Sequence, residues 1–319
     1  MATVHSVSQA RIRCREIRTA DHDGIVNLLT NGFRNRTRDH WVRALKRLSD
    51  HPTPPGFPKS GYLLECNGTP VGVSLHIYSS IPVNGEPRIR CNLSSWYVEP
   101  AFRSHATMLT SHGRNRNDVT FFNVTPAPHT LPILEAQGYV RYCRGWFAAV
   151  PALSASPDAA RVKLVAPDIC RDEDLQPFEK ELLVAHANYG CISVICNAKN
   201  RTYPFVFMPR RKFGVISFAY LIYCRDVADF VRFAGPLGRF LAKSGFPVVV
   251  LDSNGPMRGL VGKYIDARPK YFKGPHQPRL GDQAYSELAM FPIRDESIWT
   301  GWRQNLRAGM SGKGWGYSK

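Results

Sequence analysis

The sequence predicts a mixed α/β (α+β) protein of two domains, each a central, mostly antiparallel twisted sheet flanked by helices. At 319 residues the chain is longer than most single domains and can bury two cores. Segments with the two-residue period of strands alternate with segments of helical period, and this order of elements occurs twice. Between the two series, residues 151–162 are small, polar and Pro-containing, as linkers are.

The domain boundaries follow from that linker. We predict an N-terminal domain over 1–150, the linker over 151–162, a C-terminal domain over 163–294, and a basic tail rich in Trp and Gly over 295–319. The apolar content of 44% is that of a globular protein, so most of the chain is expected to fold.

The N-terminal domain opens with a strand and two helices. Arg11–Arg18 alternates like an edge strand, and Asp21 then caps a helix. A second helix at Arg38–Leu48 places Trp41 and Leu45 on one apolar stripe, and the Pro-rich run that follows ends it.

A hairpin comes next, because Asn67-Gly68 separates two strand-like runs and both residues accept the positive φ of a type I′ turn. After it we expect, in order, a strand at Cys91–Val98, a helix at Ser104–His112, a strand at 118–124, a short helix at Thr130–Gln137 and final strands up to residue 150.

The C-terminal domain repeats this order of element types. We expect a helix at Asp172–Ala187, strands at Cys191–Cys196, Pro204–Met208 and Val215–Cys224, a helix at Val227–Lys243, a buried strand at 246–252 and a helical segment at Met257–Tyr264.

The charge of the chain points to an anionic partner. There are 42 Lys and Arg against 25 Asp and Glu, a formal charge of +17. Such an excess favours nucleic acid, acidic polysaccharide, an anionic membrane or a phosphorylated cofactor. The basic residues are dispersed, and no basic helix is interleaved with stacking aromatics, so nucleic acid is the partner that the sequence favours least.

Several classes of protein are disfavoured by what the sequence lacks. No apolar run has the roughly 20 residues of a membrane span, and the N-terminus lacks the apolar core of a signal peptide, which predicts a cytoplasmic protein. The eight cysteines form no C-x-x-C pair, so we expect no structural zinc, no disulfide framework and no metal.

The segment Tyr97–Met108, YVEPAFRSHATM, joins a predicted strand to a predicted helix. Small residues at such a junction let backbone N–H groups approach a pyrophosphate, and Arg103 and His105 add positive charge. The segment resembles the GNAT family of acyl-CoA N-acyltransferases, in which a strand ending in V-x-P precedes a Q/R-x-x-G-x-G/A loop. The chain is similar in layout to tandem members of that family in which one half has a degenerate cofactor site.

The resemblance implies an acyl-CoA donor, acetyl-CoA or a longer one, bound by the first half. Val98 would lend its backbone to the pantetheine arm, and Asn123 stands near the position of a family Asn. The residues implied in cofactor binding are Tyr97, Val98, Arg103, Ser104, His105, Ala106, Thr107 and Asn123.

The sequence departs from the family pattern at the loop and at the expected catalytic positions. Ala106 replaces the first glycine, and Met108 stands where a second small residue is usual. Leu134 occupies the place of the tyrosine that protonates the leaving thiolate, and the strand Cys91–Val98 contains no carboxylate to act as a base. The catalytic residues are therefore left unassigned.

Two groups of residues are candidates for the acceptor site. Ser94, Ser95 and Trp96 could line an acyl pocket, although residues of a central strand commonly serve packing. Asp252 and Asn254 follow a buried strand, where ligands often bind, although Asp and Asn are also ordinary turn residues.

Two functions remain in competition. The first is transfer of an acyl group from acyl-CoA to an amine or hydroxyl of a small-molecule or saccharide acceptor. The second is a catalytically inactive GNAT-derived binding or regulatory protein, tied to exopolysaccharide or envelope production, whose positive charge suits acidic polymers. The sequence leaves the oligomeric state open.

Overall fold

The computed structural model describes residues 11–83, 85–111, 116–156, 158–165, 174–212 and 216–291. The chain divides into two compact units, unit 1 over 1–123 and unit 2 over 124–319. The predicted tail over 295–319 lies outside the described residues. Both units contain strands and helices, which confirms the mixed α/β fold class.

Unit 1 contains five strands and three α-helices among its described residues. They are β1 (Ile12–Glu16), α1 (His22–Gly32), α2 (Arg38–Asp50), β2 (Gly61–Cys66), β3 (Thr69–Val83), β4 (Glu86–Val98), α3 (Ala106–Ser111) and β5 (Val119–Asn123), with short 3-10 turns at Thr19–Asp21 and Pro100–His105.

The strands of unit 1 lie side by side in chain order, β1-β2-β3-β4-β5. Neighbours are antiparallel except for β4 and β5, which run parallel. Asn67 and Gly68 both have positive φ, and Cys66 pairs with Thr69 across the turn. The predicted β2–β3 hairpin is therefore confirmed.

The helices α1 and α2 bury the apolar stripes that their sequence period predicts. Ile25 and Leu29 of α1 and Trp41 and Leu45 of α2 are buried. Full burial of such a side chain contributes about 2 kcal/mol to the free energy of unfolding. The buried stripes therefore stabilise both helices. Thr37 caps α2 by accepting a hydrogen bond from the His40 amide.

Unit 2 contains nine strands and five α-helices among its described residues. They are α4 (Leu131–Ala136), β6 (Val140–Cys143), β7 (Gly145–Ala149), β8 (Arg161–Leu164), α5 (Pro177–Tyr189), β9 (Ile192–Ala198), β10 (Arg201–Lys212), β11 (Ile216–Cys224), α6 (Val227–Arg232), α7 (Ala234–Lys243), β12 (Val248–Ser253), β13 (Gly262–Ile265), β14 (Lys270–Lys273) and α8 (Glu287–Met290).

The main sheet of unit 2 has seven strands in the order β13-β7-β12-β11-β10-β9-β8. The β11–β12 pair is parallel, and the other neighbours are antiparallel. Strands β6 and β14 form a further antiparallel pair, which is not part of this main sheet. Each unit thus contains four successive antiparallel strands followed by a parallel fifth that is reached through a helical connection.

The division between the units lies earlier in the chain than the predicted boundary at residue 150. The reason is β7, which pairs with β12 and β13 and so belongs to the sheet of unit 2. The predicted linker over 151–162 is packed where it is described. The Ser154 hydroxyl accepts a hydrogen bond from the Val261 amide, and the Ser156 hydroxyl accepts one from the Gly235 amide.

Two local predictions for the second half are wrong. The segment Val227–Lys243 forms two helices, α6 and α7, which meet at Phe233, because that fully buried residue leaves helical geometry. The segment Met257–Tyr264 is not helical: it leads into β13, since Gly262 and Lys263 pair with Ala149 and Ala148 of β7.

Candidate functional site

In unit 1 the two parallel strands β4 and β5 separate part-way along. Their pairing starts at Ile89 opposite Val119 and ends at Asn92 opposite Phe122, whereas β4 continues to Val98. The Asn92 side chain donates a hydrogen bond to the Phe122 carbonyl, 3.2 Å away, at the point of separation. We call the opening beside residues 93–98 of β4 the strand cleft. Among the described residues, β4 pairs with no strand on this side beyond Asn92.

A β-bulge lies in the part of β4 that borders the strand cleft. Val73 of β3 is opposite Tyr97, and Leu75 is opposite Ser94, so that Ser95 and Trp96 together face Ser74. Ser95 has φ of +46°, in the left-handed region that disfavours side chains by about 1–2 kcal/mol. Bulges redirect the backbone, and strained residues of this kind are concentrated at functional sites.

One face of the β4 end is fixed by the junction of α1 and α2. The Tyr97 ring centroid lies 6.2 Å from that of Phe33, which in turn lies 5.4 Å from Trp41. Tyr97 also covers Gly32, where a Cβ atom would stand 2.5 Å from the ring. Gly32 therefore allows Tyr97 to lie directly on the last turn of α1.

On the other face of the β4 end, an apolar cluster joins the strand to α3. Val98 and Leu109 are buried in it, and Trp96, Phe102 and Met108 pack against it. Met108, which stands where a second small residue is expected, is thus half-buried against this cluster.

Five of the predicted cofactor residues, Arg103 to Thr107, lie in one continuous turn after β4, whereas Tyr97 and Val98 belong to β4 itself. The 3-10 turn Pro100–His105 runs directly into α3, which begins at Ala106 and not at the predicted Ser104. Arg103, Ser104 and Thr107 are exposed, whereas His105 and Ala106 are half-buried. Asn123 ends β5. Of the first acceptor group, Ser95 and Trp96 form the bulge and Ser94 directly precedes it. The Ser94 and Ser95 hydroxyl oxygens are 3.1 Å apart.

A buried polar row on β3, which the sequence reasoning missed, leads to the same bulge. The His76 ring nitrogen Nε2 is 3.2 Å from the Ser74 hydroxyl, and Nδ1 is 3.4 Å from the Tyr78 hydroxyl. Burial raises the pKa of Tyr78 and of the neighbouring Cys91 thiol, so both are neutral at physiological pH. The signal in the sequence is the polar alternation S-x-H-x-Y within an otherwise apolar strand.

The second acceptor group, Asp252 and Asn254, belongs to unit 2 and serves structural contacts there. The Asp252 carboxylate accepts hydrogen bonds from Lys270 and Tyr220. The Asn254 side chain accepts a hydrogen bond from the Arg144 amide (2.7 Å) and donates one to the Tyr142 carbonyl (3.1 Å). We therefore leave both residues out of the site in unit 1.

Within the described part of the chain, no group of three His, Cys, Asp or Glu side chains is arranged to hold a metal ion. No described helix has the length and apolar character needed to cross a membrane.

Comparison with known proteins identifies the fold. No family model matches the sequence, and no curated protein does. Among solved structures, a GCN5-related N-acetyltransferase from Anabaena variabilis superposes with a TM-score of 0.55 at 11% identity, over 82% of this chain and 72% of its own. A conserved Enterococcus faecalis protein of unknown function gives a TM-score of 0.53 at 10% identity, over 86% and 74%.

A third solved structure is the GCN5-related glucosamine N-acetyltransferase region of a fungal multi-domain protein. It superposes with a TM-score of 0.52 at 9% identity, over 84% of this chain and 38% of the other. At sequence identities this low, the similarity is evidence of a shared fold alone. The chain has the fold of the GCN5-related N-acetyltransferases, the GNAT fold, and the pattern of antiparallel strands with a parallel fifth is present in each unit.

Proposed function

We propose that this protein is an acyltransferase that moves an acyl group from acyl-CoA to an amine or hydroxyl, using the strand cleft of unit 1. The observation that carries the proposal is the end of the β4–β5 pairing at Asn92, together with the bulge that holds Ser95 at positive φ. A strand edge without a neighbouring strand presents backbone N–H and C=O groups, here those of Tyr97 and Val98, which suit the amides of a pantetheine arm.

The residues around the cleft fit such a donor. The backbone of Tyr97 and Val98 would bind the pantetheine amides, and the turn from Arg103 to Thr107 would meet the pyrophosphate. Small Ala106 permits close approach, and the exposed guanidinium of Arg103 supplies positive charge. Acetyl-CoA or a longer acyl-CoA is the proposed donor.

In the reaction, the acceptor nitrogen or oxygen attacks the thioester carbon, the carbon–sulfur bond breaks, and the leaving thiolate takes up a proton. The protein contributes positioning, and a backbone N–H redirected by the bulge at Ser95 would stabilise the negative charge that develops on the thioester oxygen. Residues 91–98 contain no carboxylate, and the Ser94 and Ser95 hydroxyls, 3.1 Å apart beside the bulge, are the side-chain groups of β4 that we propose for this chemistry.

The proposed acceptor is a small molecule or a saccharide. The fungal neighbour named above is a glucosamine N-acetyltransferase region, which makes an amino sugar a reasonable first acceptor to assay. The formal charge of +17 favours acceptors that carry an acidic group. We propose a cytoplasmic location, where acyl-CoA is available.

Thermal unfolding with free CoA, acetyl-CoA and longer acyl-CoAs tests the proposal. We expect a rise of several degrees at a ligand concentration about a hundred times Kd, because binding to the folded state adds about 2.7 kcal/mol. Arg103→Glu should abolish the rise by repelling the pyrophosphate, and Arg258→Glu, an exposed arginine of unit 2, should leave it unchanged. No shift with any CoA species would refute the proposal.

The alternative is a GNAT-derived binding or regulatory protein without turnover, tied to exopolysaccharide or envelope production. It is favoured by Leu134, a buried α4 residue at the position of the expected tyrosine. In that case the protein should bind an acidic polysaccharide with an affinity that falls as salt is added. It should also release no CoA from acetyl-CoA with any amino sugar.

A further inference from the structure

The parallel strands β11 and β12 of unit 2 separate in the same way as β4 and β5. Their pairing runs from Phe218 opposite Val248 to Tyr220 opposite Val250, after which β11 continues to Cys224. A bulge is again present. Val206 of β10 is opposite Tyr223 and Phe207 is opposite Leu221, which leaves Ile222 as the extra residue.

In unit 2, the opening is filled by a later segment of the same chain. We call residues Gly281–Gln283 the plug segment. The Cys224 amide donates to the Gly281 carbonyl at 2.9 Å, and the Gln283 amide donates to the Ile222 carbonyl at 2.8 Å. Asp282 stands opposite Tyr223 as an antiparallel bridge. The plug segment therefore pairs with the free edge of β11 as an added strand would.

The side chain of Gln283 links the plug segment to β12, the strand on the other side of the opening. Its amide nitrogen donates to the carboxylate of Asp252, near the end of β12. Asp252 also forms an ion pair with Lys270, and the two nitrogen–oxygen distances to its carboxylate are 2.8 and 2.9 Å. Gln283, Asp252 and Lys270 are all more than nine-tenths buried, so these bonds are shielded from water.

The plug segment is packed closely against β11 and the start of α6. Gly281 has φ of +76°, and a Cβ atom there would lie 2.7 Å from the Cys224 sulfur and 2.9 Å from Val227. The Arg279 guanidinium lies 5.3 Å from the Tyr223 ring centroid and donates to the Cys224 carbonyl. Arg279, two residues before the plug segment, thus contacts the same end of β11.

A pantetheine arm presents amide N–H and C=O groups in alternation, as a short strand does. We propose that the plug segment is a built-in occupant of a second acyl-CoA cleft, so that each chain takes one acyl-CoA, in unit 1. This inference rests on the proposed function for the stoichiometry, whereas the occupation of the unit 2 cleft can be tested without any ligand.

Hydrogen exchange and titration calorimetry on the full chain test both parts. Without ligand, the Cys224 amide should be strongly protected. Adding CoA should leave it unchanged and should protect amides within residues 93–98. Calorimetry should give one CoA per chain. Two CoA per chain, or rapid exchange at Cys224, would overturn the inference. If no CoA binds, the proposed function fails, and protection at Cys224 still decides whether the cleft is occupied.

Two substitutions at Gln283 test what holds the plug segment. Gln283→Glu places a second carboxylate beside Asp252 and should speed exchange at Cys224 at least tenfold, whereas Gln283→Met, which loses only the hydrogen bond, should have a smaller effect in the same direction. Gln137→Glu, in the same unit, is the control and should change nothing. Protection at Val194 and Phe205 reports whether the sheet stays folded. Unchanged exchange at Cys224 in both Gln283 variants would contradict the inference.

Discussion

The ammonium group of Lys270 lies 2.8 Å from the carboxylate of Asp252, and both side chains are almost completely buried. The Tyr220 hydroxyl donates to the same carboxylate at 2.5 Å. Burial, and then the neighbouring carboxylate, raise the pKa of Tyr220 well above its usual value of 10, so it remains a neutral donor. A single buried charge is much less favourable than a buried pair.

Replacing one partner of this pair should therefore cost more than replacing both. We expect Lys270→Met to lower the free energy of unfolding by about 3–5 kcal/mol, because the buried Asp252 carboxylate loses its cationic partner. Lys270→Met combined with Asp252→Asn should recover most of the loss. Urea unfolding of the three proteins measures this, and a double variant no more stable than Lys270→Met would contradict it.

Gly32→Ala should disturb the end of β4. A methyl group there would meet the Tyr97 ring at 2.5 Å, and overpacking of this kind costs about 1–3 kcal/mol. Gly255→Ala is the control, since a Cβ atom at that glycine meets nothing within 4 Å. In the background of Tyr97→Ala, the cost of Gly32→Ala should nearly vanish. An equal cost in both backgrounds would show that Tyr97 is not the obstacle.

Ser95→Gly and Ser94→Gly should change stability in opposite directions. Each removes one hydroxyl of the same Ser94–Ser95 contact, but only Ser95 has positive φ. Glycine should therefore relieve about 1 kcal/mol of strain at Ser95, while at Ser94 it should cost about 0.5–1 kcal/mol through chain entropy. The difference between the two variants in denaturant midpoint checks this, and equal shifts would refute it.

Acid should weaken unit 1 through Asp21. The two guanidinium nitrogens of Arg15 each donate to this carboxylate at 2.7 Å, and these hydrogen bonds hold the pKa of Asp21 below its usual value of 3.8. The folded-state pKa is the lower one, so the stabilisation is fully present above pH 3.8 and is lost as pH falls below it. The free energy of unfolding, measured from about pH 5 to pH 2, should fall less steeply for Asp21→Asn than for the unsubstituted protein. Parallel curves would contradict this.

Local patterns predicted local structure well. The stripe of Trp41 and Leu45 correctly predicted α2, and Asn67-Gly68 correctly predicted the β2–β3 hairpin. Both elements are determined by residues within a few positions of one another. The V-x-P run and the small-residue turn located the loop from Arg103 to Thr107 for the same reason, although the first turn proved to be a 3-10 helix.

Features that depend on distant partners were not predictable in this way. Nothing near Gly145–Ala149 indicates that this strand lies between two strands formed about a hundred residues later. The positive φ of Ser95 likewise arises from its register against β3, and serine carries no preference for it. Asp252 was placed correctly at the end of a strand, but its partner Lys270 could be found only in three dimensions.

The position of β7 also decides where the chain can be cut. A fragment that ends at residue 150 keeps Gly145–Ala149 but loses β12 and β13, the two strands to which it is hydrogen-bonded. The complementary fragment, beginning at residue 151, loses the strand that joins β13 to the rest of its sheet. Separate expression of the halves should therefore divide the chain after Asn123, so that β7 is synthesised together with its partners.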